Sequence, residues 1–92
     1  MKSDQSPANE SFYAEILRQE YQKRKDKNAQ YSIRAFARDT EFHAGELSQI
    51  LRTKKRLSLS AGIRILKKLN LDKEVQEKFL SSIVAEYVEK LN

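Results

Sequence analysis

The stretch that decides the fold is SIRAFARDTEFHAGELSQILRTKKRLS, which covers residues 32–58. Apolar residues recur in it at helical spacing, the pattern breaks at residues 41–43, and a basic run closes it. Ser32 is a good N-cap residue, so a helix should run from there to about Thr40. A further helix should begin after His43 and end near Arg52. The stretch therefore predicts two short helices joined by a turn of three residues.

Apolar pairs support both helix starts. Tyr31 and Phe36 have the spacing of a hydrophobic staple at the first helix, and Phe42 and Leu47 have it at the second. A turn this short makes the two helix axes cross steeply, which predicts a helix-turn-helix with small Ala37 at the closest approach. The shared interior should consist of Ile33, Phe36, Phe42, Leu47, Ile50 and Leu51.

Composition limits what can surround this motif. The chain has 92 residues, enough for one small domain, and contains only 2 Gly and 1 Pro among 39% hydrophobic and 34% charged residues. Helix formers dominate, so the fold class should be all-α. Cysteine is absent, which excludes disulfides, thiolate nucleophiles and zinc–cysteine sites. No apolar run is long enough to cross a bilayer, and the start MKSDQSPANE lacks a signal-peptide core, so we expect a soluble cytoplasmic protein.

Three further helices complete the expected bundle. Residues 1–9 should be a flexible leader, with a first helix beginning near residues 9–11 and ending at Asn28. A fourth helix should run from a Ser58 cap to Leu69, with Gly62 marking a close helix crossing. It should bury Leu59, Ile63, Leu66 and Leu69. The helix-turn-helix domain would then span residues 10–71, and residues 72–92 would form a long C-terminal helix capped by Asp72.

The last helix carries more apolar residues than four short helices can cover. We expect part of it to be a dimerisation element, because a symmetric contact buries the excess on both subunits. The candidate dimer interface is Phe79, Ile83, Val84, Tyr87, Val88 and Leu91. Two alternatives stay open: the helix folds back fully on its own core, or it docks on a further C-terminal domain.

The positive charge is concentrated in the middle of the chain. The protein has a net charge of +5; residues 32–69 contain nine Lys and Arg against three acidic residues, a net charge of +6, whereas residues 70–92 have a net charge of −2. A basic surface of this kind suits a polyanion, because Lys and Arg release counterions from phosphates. A merely solvated helical face is the alternative.

The motif resembles the lambda-repressor/Cro-like helix-turn-helix domain. The residues that carry the resemblance are Ser32-Ile33, Phe36-Ala37-Arg38, Phe42, Leu47-Ser48, Ile50-Leu51 and Lys54-Lys55-Arg56-Leu57-Ser58. More narrowly, the chain is similar to the N-terminal domain of a group of bacterial transcriptional regulators with RKxxNxxYSxRAFAR and KRxLS patterns, in which a longer C-terminal domain usually follows. The resemblance implies a five-helix lambda-repressor-like bundle with a long C-terminal helix.

The resemblance also implies which residues meet DNA. The second helix of the motif would lie in the major groove, with base-reading positions at His43, Ala44, Gly45, Ser48, Gln49 and Arg52. Gln49 is the best reader, because its amide can pair with adenine N6 and N7. Phosphates would be held by Ser32, Arg34, Arg38, Lys54, Lys55 and Arg56. The last three could equally be cations that suit a helix C-terminus.

Two acidic residues depart from the family pattern. Glu46, near the groove, would either accept from cytosine N4 or cap the helix, and we favour the cap. Glu41 lies at a turn position where the family often has Gly, so a left-handed backbone there would store strain.

Nothing in the sequence indicates an enzyme. His43 has no metal-ligating partner at a suitable spacing, and no nucleophile arrangement is present, so we expect no reaction, metal, cofactor or small-molecule substrate. Two functions remain: a duplex-DNA-binding transcriptional regulator that acts as a homodimer, and a protein-interaction module that holds a protein partner. Membrane binding is disfavoured because the last helix is net acidic.

Overall fold

The computed structural model describes residues 11–91, and within them the protein is all-helical, with five α-helices and no strand. The helices are α1 (Phe12–Lys27), α2 (Ile33–Thr40), α3 (Ala44–Leu51), α4 (Leu59–Leu66) and α5 (Lys73–Leu91). The predicted all-α class is confirmed, as are the three-residue turn between α2 and α3 and the long last helix. The leader assigned to residues 1–9 lies outside the described residues.

Serine caps determine where two of the short helices begin. The Ser32 hydroxyl oxygen accepts a hydrogen bond from the Ala35 amide at 3.2 Å, and Ser58 accepts one from Ala61 at the same distance. Each bond satisfies one of the amides that a helix start leaves without an intrahelical partner. The predicted Ser32 and Ser58 caps are therefore confirmed.

One core joins the five helices. Helix α1 packs against α3 and α5, α2 packs against α3, and α4 packs against α5. The largest apolar side chains with almost no exposure are Tyr13, Leu17, Phe36, Leu47, Ile50, Leu57, Ile65, Phe79 and Ile83. Of the predicted interior of the motif, Ile33 and Phe42 are only partly buried, at the edge of this core.

Helix α4 departs from its prediction in length and in rotation. It ends at Leu66 instead of Leu69, because the last turn tightens: the Leu69 amide bonds to the Leu66 carbonyl, three residues back. The predicted burial holds for these two leucines, but Leu59 is 38% exposed and Ile63 is 43% exposed. The prediction was wrong for Leu59 and Ile63.

A close helix crossing explains the rotation of α4. The residues of α4 that face the core are Ala61, Gly62, Ile65 and Leu66. A Cβ atom placed on Gly62 would lie 2.5 Å from Cδ1 of Ile83 in α5. The small side of α4 therefore faces α5, which turns the larger Leu59 and Ile63 outward. The expected reason for a glycine at this position is confirmed.

Helix α5 is buried at its middle and exposed toward its end. Phe79 and Ile83 have no exposure, and the Phe79 ring lies 6.1 Å from the Tyr13 ring. These two residues belong to the protomer's own core, so their assignment to a dimer interface was wrong: packing against α1 and α4 already covers them. The other members of that predicted interface stay exposed, namely Val84, Tyr87, Val88 and Leu91. No helix in residues 11–91 is long and apolar enough to span a membrane.

Candidate nucleic-acid interface

The turn between α2 and α3 is a Schellman motif. Glu41 has a left-handed backbone, with φ 59° and ψ 49°. The Phe42 amide donates to the Ala37 carbonyl at 2.7 Å, and the Glu41 amide donates to Arg38 at 3.2 Å. These are the two bonds that define the motif, with Glu41 where Gly is usual. The backbone at Glu41 is thus left-handed, which is the case in which strain was expected, and a non-glycine residue there costs about 1–2 kcal/mol.

A second element of the bundle holds the Glu41 side chain. Its carboxylate lies 2.9 Å from the Lys68 ammonium group, which follows α4. The hydrogen bond and charge of Lys68, with a smaller contribution from Arg64, keep the pKa of Glu41 below its ordinary value. The turn is therefore tied to the far end of α4 by an exposed ion pair.

The C-terminus of α3 repeats the same geometry, which the sequence analysis missed. Thr53 has a φ of 58°. Its amide donates to Ile50 at 3.0 Å, and the Lys54 amide donates to the Gln49 carbonyl at 2.7 Å. This is a further Schellman motif with threonine in the position that favours glycine, so composition offered no signal for it. It directs the chain sharply from α3 into the basic segment, residues 54–56.

Arg18 connects α1 to the end of α3. Its guanidinium donates to the Leu51 carbonyl at 2.6 Å, a short charge-assisted bond to the last residue of α3. Leu51 is one of the residues whose carbonyl would otherwise lack a partner at the helix end. This contact could not be predicted from the sequence, because no local pattern indicates that Arg18 bonds to a residue 33 positions away.

The exposed face of α3, with its C-cap residue, contains three of the predicted base-reading residues. Gly45, Gln49 and Arg52 lie at spacings of four and three residues, which places them in one stripe, and all three are exposed. His43 is also exposed, at the N-cap, and its side chain makes no capping hydrogen bond. Space around Gly45 is open, since an added Cβ would meet no atom within 4 Å.

Two predicted base-reading residues sit less favourably. Ala44 and Ser48 are only partly exposed, and Ala44 packs against the core. They lie on the side of α3 that turns toward the rest of the bundle. The surface available to a ligand is thus formed mainly by His43, Gly45, Gln49 and Arg52.

The predicted phosphate-binding residues come from two elements and are all exposed. Arg34 and Arg38 lie on α2, one helical turn apart, and Lys54 and Arg56 lie in the basic segment. Ser32 is exposed too, with its hydroxyl oxygen engaged as the cap of α2. Cationic side chains therefore precede and follow the exposed stripe of α3 along the chain.

Glu46 does not behave as expected. Its carboxylate lies 3.1 Å from the Lys55 ammonium group. The favoured capping assignment was therefore wrong: the carboxylate pairs with a cation of the basic segment instead. One predicted phosphate ligand, Lys55, is consequently paired with an acid in this structure.

The loop before α2 is held by a small polar cluster. The Tyr31 hydroxyl donates to Asp39 at 2.6 Å, and Arg24 donates to the same carboxylate at 3.2 Å. Partial burial, then the bond to Asp39, raises the pKa of Tyr31. The Tyr31 and Phe36 rings lie 6.4 Å apart, which confirms the predicted staple. Arg24 lies over the Phe36 ring at 5.4 Å.

The basic segment ends at a buried hydrogen-bond network. The Leu57 amide donates to the Tyr13 hydroxyl at 3.2 Å, and that hydroxyl donates to Glu86 in α5 at 2.7 Å. Burial, then the bond to Glu86, raises the pKa of Tyr13 to about 12. Tyr13 is therefore a neutral donor at physiological pH. Its place in the sequence does not indicate this role, because both partners of its hydroxyl lie far away along the chain.

Residues 11–91 contain no group of three or more His, Cys, Asp or Glu side chains suited to a metal ion. Comparison with known proteins found no matching family model, no matching curated protein and no matching solved structure. The assignment of function therefore rests on the geometry of the chain itself.

Proposed function

We propose that this protein is a lambda-repressor/Cro-like helix-turn-helix regulator that binds duplex DNA through α3. The observation that carries the proposal is the exposed stripe of Gly45, Gln49 and Arg52 with exposed cations on both sides of it in the chain. An α-helix fits the major groove, which is about 12 Å wide, and a tight turn lets the preceding helix lie across the DNA backbone.

The cations supply affinity and the stripe supplies sequence preference. Arg34 and Arg38 on α2, with Lys54 and Arg56 after α3, contact phosphates and fix the register of the helix. Gln49 pairs with adenine, and Arg52 can pair with guanine O6 and N7. Gly45 admits the base edges closely but adds no hydrogen bond. Such a face binds duplex DNA of any sequence strongly and distinguishes bases at only a few positions.

The proposed regulator binds DNA as a symmetric dimer. The exposed fractions of Val84, Tyr87 and Leu91 on α5 are 45%, 44% and 85%. A second copy would cover these residues on both subunits through one isologous contact and would present two α3 helices to two half-sites. Sedimentation equilibrium at micromolar concentration tests this directly, with Tyr87→Lys as the interface variant and Leu59→Lys as the control at an exposed apolar residue of α4.

A concentration-dependent mass that Tyr87→Lys abolishes and Leu59→Lys preserves would support the dimer. A monomeric mass at all concentrations would refute it.

Fluorescence anisotropy tests DNA binding. A labelled mixed-sequence duplex is titrated with protein at low and at near-physiological salt. The affinity should fall steeply with salt, with a slope of about −0.9 for each phosphate that the protein neutralises. Absence of binding at low salt, by protein shown to be folded, would refute the proposal.

The second candidate is a protein-interaction module that has the same fold but does not bind DNA. The observation that favours it is the Glu46–Lys55 pair, which places a carboxylate at the start of the helix proposed to enter the groove. On this hypothesis the exposed end of α5 contacts another protein. Failure of the anisotropy experiment would make this candidate the leading one.

A further inference from the structure

Three segments that are distant in sequence meet at one hydroxyl group. The Tyr13 oxygen accepts from the Leu57 amide, 44 residues away, and donates to Glu86, 73 residues away. Tyr13 itself is 2% exposed. The hydroxyl thus connects α1, the end of the basic segment and the second half of α5.

The side chains of the basic segment do not pack in the core, so its backbone is fixed at its two ends. Lys54, Lys55 and Arg56 are all exposed, and an open cleft of 370 Å³ separates them from the Glu89 end of α5. The backbone is held at one end by the Lys54 amide bond to Gln49 and at the other by the Leu57 amide bond to Tyr13. Two hydrogen bonds therefore bracket the segment, alongside the buried Leu57 side chain and the Glu46–Lys55 ion pair.

The Leu57 bond is costly to lose. Leu57 is 1% exposed, so its amide would be buried without a partner if the Tyr13 hydroxyl were absent. Donation from Tyr13 to the Glu86 carboxylate polarises the phenol oxygen and makes it a better acceptor for that amide. Glu86 consequently strengthens the anchor of a segment it does not bond to directly.

We propose that Tyr13 is a positioning residue for the basic segment, holding Lys54 and Arg56 where DNA phosphates will lie, with Glu86 setting the Tyr13 hydroxyl. The part of this proposal that concerns DNA rests on the proposed function; the anchoring of Leu57 does not. The benefit is preorganisation, because cations already in place lose less conformational entropy on binding.

Tyr13→Phe removes the hydroxyl and keeps the ring that packs against Phe79. Amide hydrogen exchange of Leu57 should become roughly fivefold faster, the loss expected for one hydrogen bond of ordinary net strength. Tyr21→Phe is the matched control, since Tyr21 lies on the same helix and packs against the core at another site. Unchanged exchange of Leu57 in Tyr13→Phe would overturn the anchoring.

A double-mutant cycle tests whether Tyr13 acts on DNA through the basic segment. Tyr13→Phe should weaken binding to a mixed-sequence duplex several-fold in the otherwise natural chain. It should have almost no effect in a Lys54→Ala/Arg56→Ala background, because the cations it positions are then absent. An equal loss in both backgrounds would show a general effect on the fold and would overturn the positioning role.

Two further results complete the test. If Tyr13→Phe does not fold, Glu86→Gln replaces it in both experiments. This variant keeps the Tyr13 hydroxyl but weakens the acceptor of its hydrogen bond, so the same changes should appear at smaller size. No change in Glu86→Gln would then overturn the proposal. If the natural chain binds no duplex, the proposed function fails and the DNA part fails with it. The Leu57 exchange measurement still decides the anchoring on its own.

Discussion

The carboxylate of Glu46 lies 3.1 Å from the ammonium group of Lys55, so α3 and the basic segment are joined before any ligand is present. Both side chains are partly exposed, with relative accessibilities of 33% and 49%. A pair of this kind contributes little to stability, commonly less than about 1 kcal/mol. Its more important effect is electrostatic: a phosphate that approaches Lys55 must compete with the carboxylate and is repelled by it.

Glu46→Gln should therefore raise affinity for all duplexes. The change frees Lys55 for a phosphate and removes the repulsion, so we expect binding roughly threefold to tenfold tighter and a salt slope steeper by about 0.9, the value for one added phosphate contact. Anisotropy titrations at several salt concentrations measure both. The control is Glu20→Gln, which makes the same charge change in an ion pair with Lys23 on α1. Equal effects of the two variants would show that the gain in affinity comes only from the change in net charge.

Lys54→Ala/Arg56→Ala should weaken binding uniformly across sequences. These side chains are exposed and make no ion pair within residues 11–91, so their removal deletes phosphate contacts and little else. The salt slope should become shallower by about 2, or about 0.9 for each lost contact. Lys27→Ala/Lys78→Ala is the control for net charge, on α1 and α5. Duplexes that respond very differently to the first variant would indicate that these cations read bases.

Gln49→Ala should change sequence preference more than general affinity. The amide of Gln49 is exposed at the centre of the α3 stripe, and a bidentate pair with adenine contributes about 1–3 kcal/mol of discrimination. Selection from a random duplex pool, followed by titration of the selected and mixed sequences, measures the preference. The natural protein and the variant should select different bases at one position of each half-site. Identical selected sequences would show that Gln49 does not contribute to base recognition.

Gly62→Ala should destabilise the protein although alanine favours helix. The gain in helix propensity is about 1 kcal/mol, but the added Cβ would meet Ile83 Cδ1 at 2.5 Å inside a packed core, and overpacking costs about 1–3 kcal/mol. We expect a net loss of about 1 kcal/mol in urea denaturation.

The Ile83→Val background isolates the cause of that loss. It removes the clashing methyl group, so in this background Gly62→Ala should become neutral or stabilising. Gly45→Ala is the control at an open helical position and should stabilise. Loss of stability from Gly62→Ala in both backgrounds would exclude the Ile83 contact as the cause.

The Glu41–Lys68 pair should make part of the stability depend on pH. Lys68 keeps the pKa of Glu41 lower in the folded protein than in the unfolded chain. The pair therefore stabilises the folded protein at pH values above the unfolded pKa of a glutamate, about 4.3. This contribution disappears as the pH falls through the pKa that Glu41 has in the folded protein.

The measurement is urea denaturation of the natural chain and of Lys68→Met across this range. Lys68→Met should be less stable at neutral pH, and its deficit should shrink as pH falls below about 4.3 and vanish below the folded pKa of Glu41. Lys67→Met, at the neighbouring exposed lysine, should differ from the natural chain by the same amount of stability at every pH in this range. A Lys68→Met deficit that persists at low pH would mean that the lysine stabilises by packing and not by charge.

Local patterns in the sequence determined the helices and the turn. Ser32 and Ser58 predicted two helix starts, and their hydroxyls accept the expected amide bonds. A turn was expected at residues 41–43, and α2 ends there, with Glu41 as its C-cap. Such features depend on backbone groups within about four residues, so they can be recognised in a single sequence. Exposure of Gln49 and Arg52 also follows from helical periodicity.

Only the tertiary structure decided which apolar residues face inward. Leu59 and Ile63 fit the same periodic pattern as Leu66, but the closeness of Gly62 to Ile83 rotated α4 and left them exposed. Packing against α1 and α4 likewise buried Phe79 and left Tyr87 at the surface. These outcomes depend on the volumes available between helices, which the sequence pattern does not contain.

The hydrogen-bond and ion-pair partners that lie far apart in the chain could not be predicted from the sequence either. Glu46 was expected to cap its own helix and instead pairs with Lys55, and the hydroxyl of Tyr13 joins residues 44 and 73 positions away. A side-chain donor or acceptor takes the partner that the folded chain brings within about 3 Å, and most candidates lie far away in the sequence. The sequence alone thus predicted the helix-turn-helix and its charged residues, while folding chose the contacts that orient them.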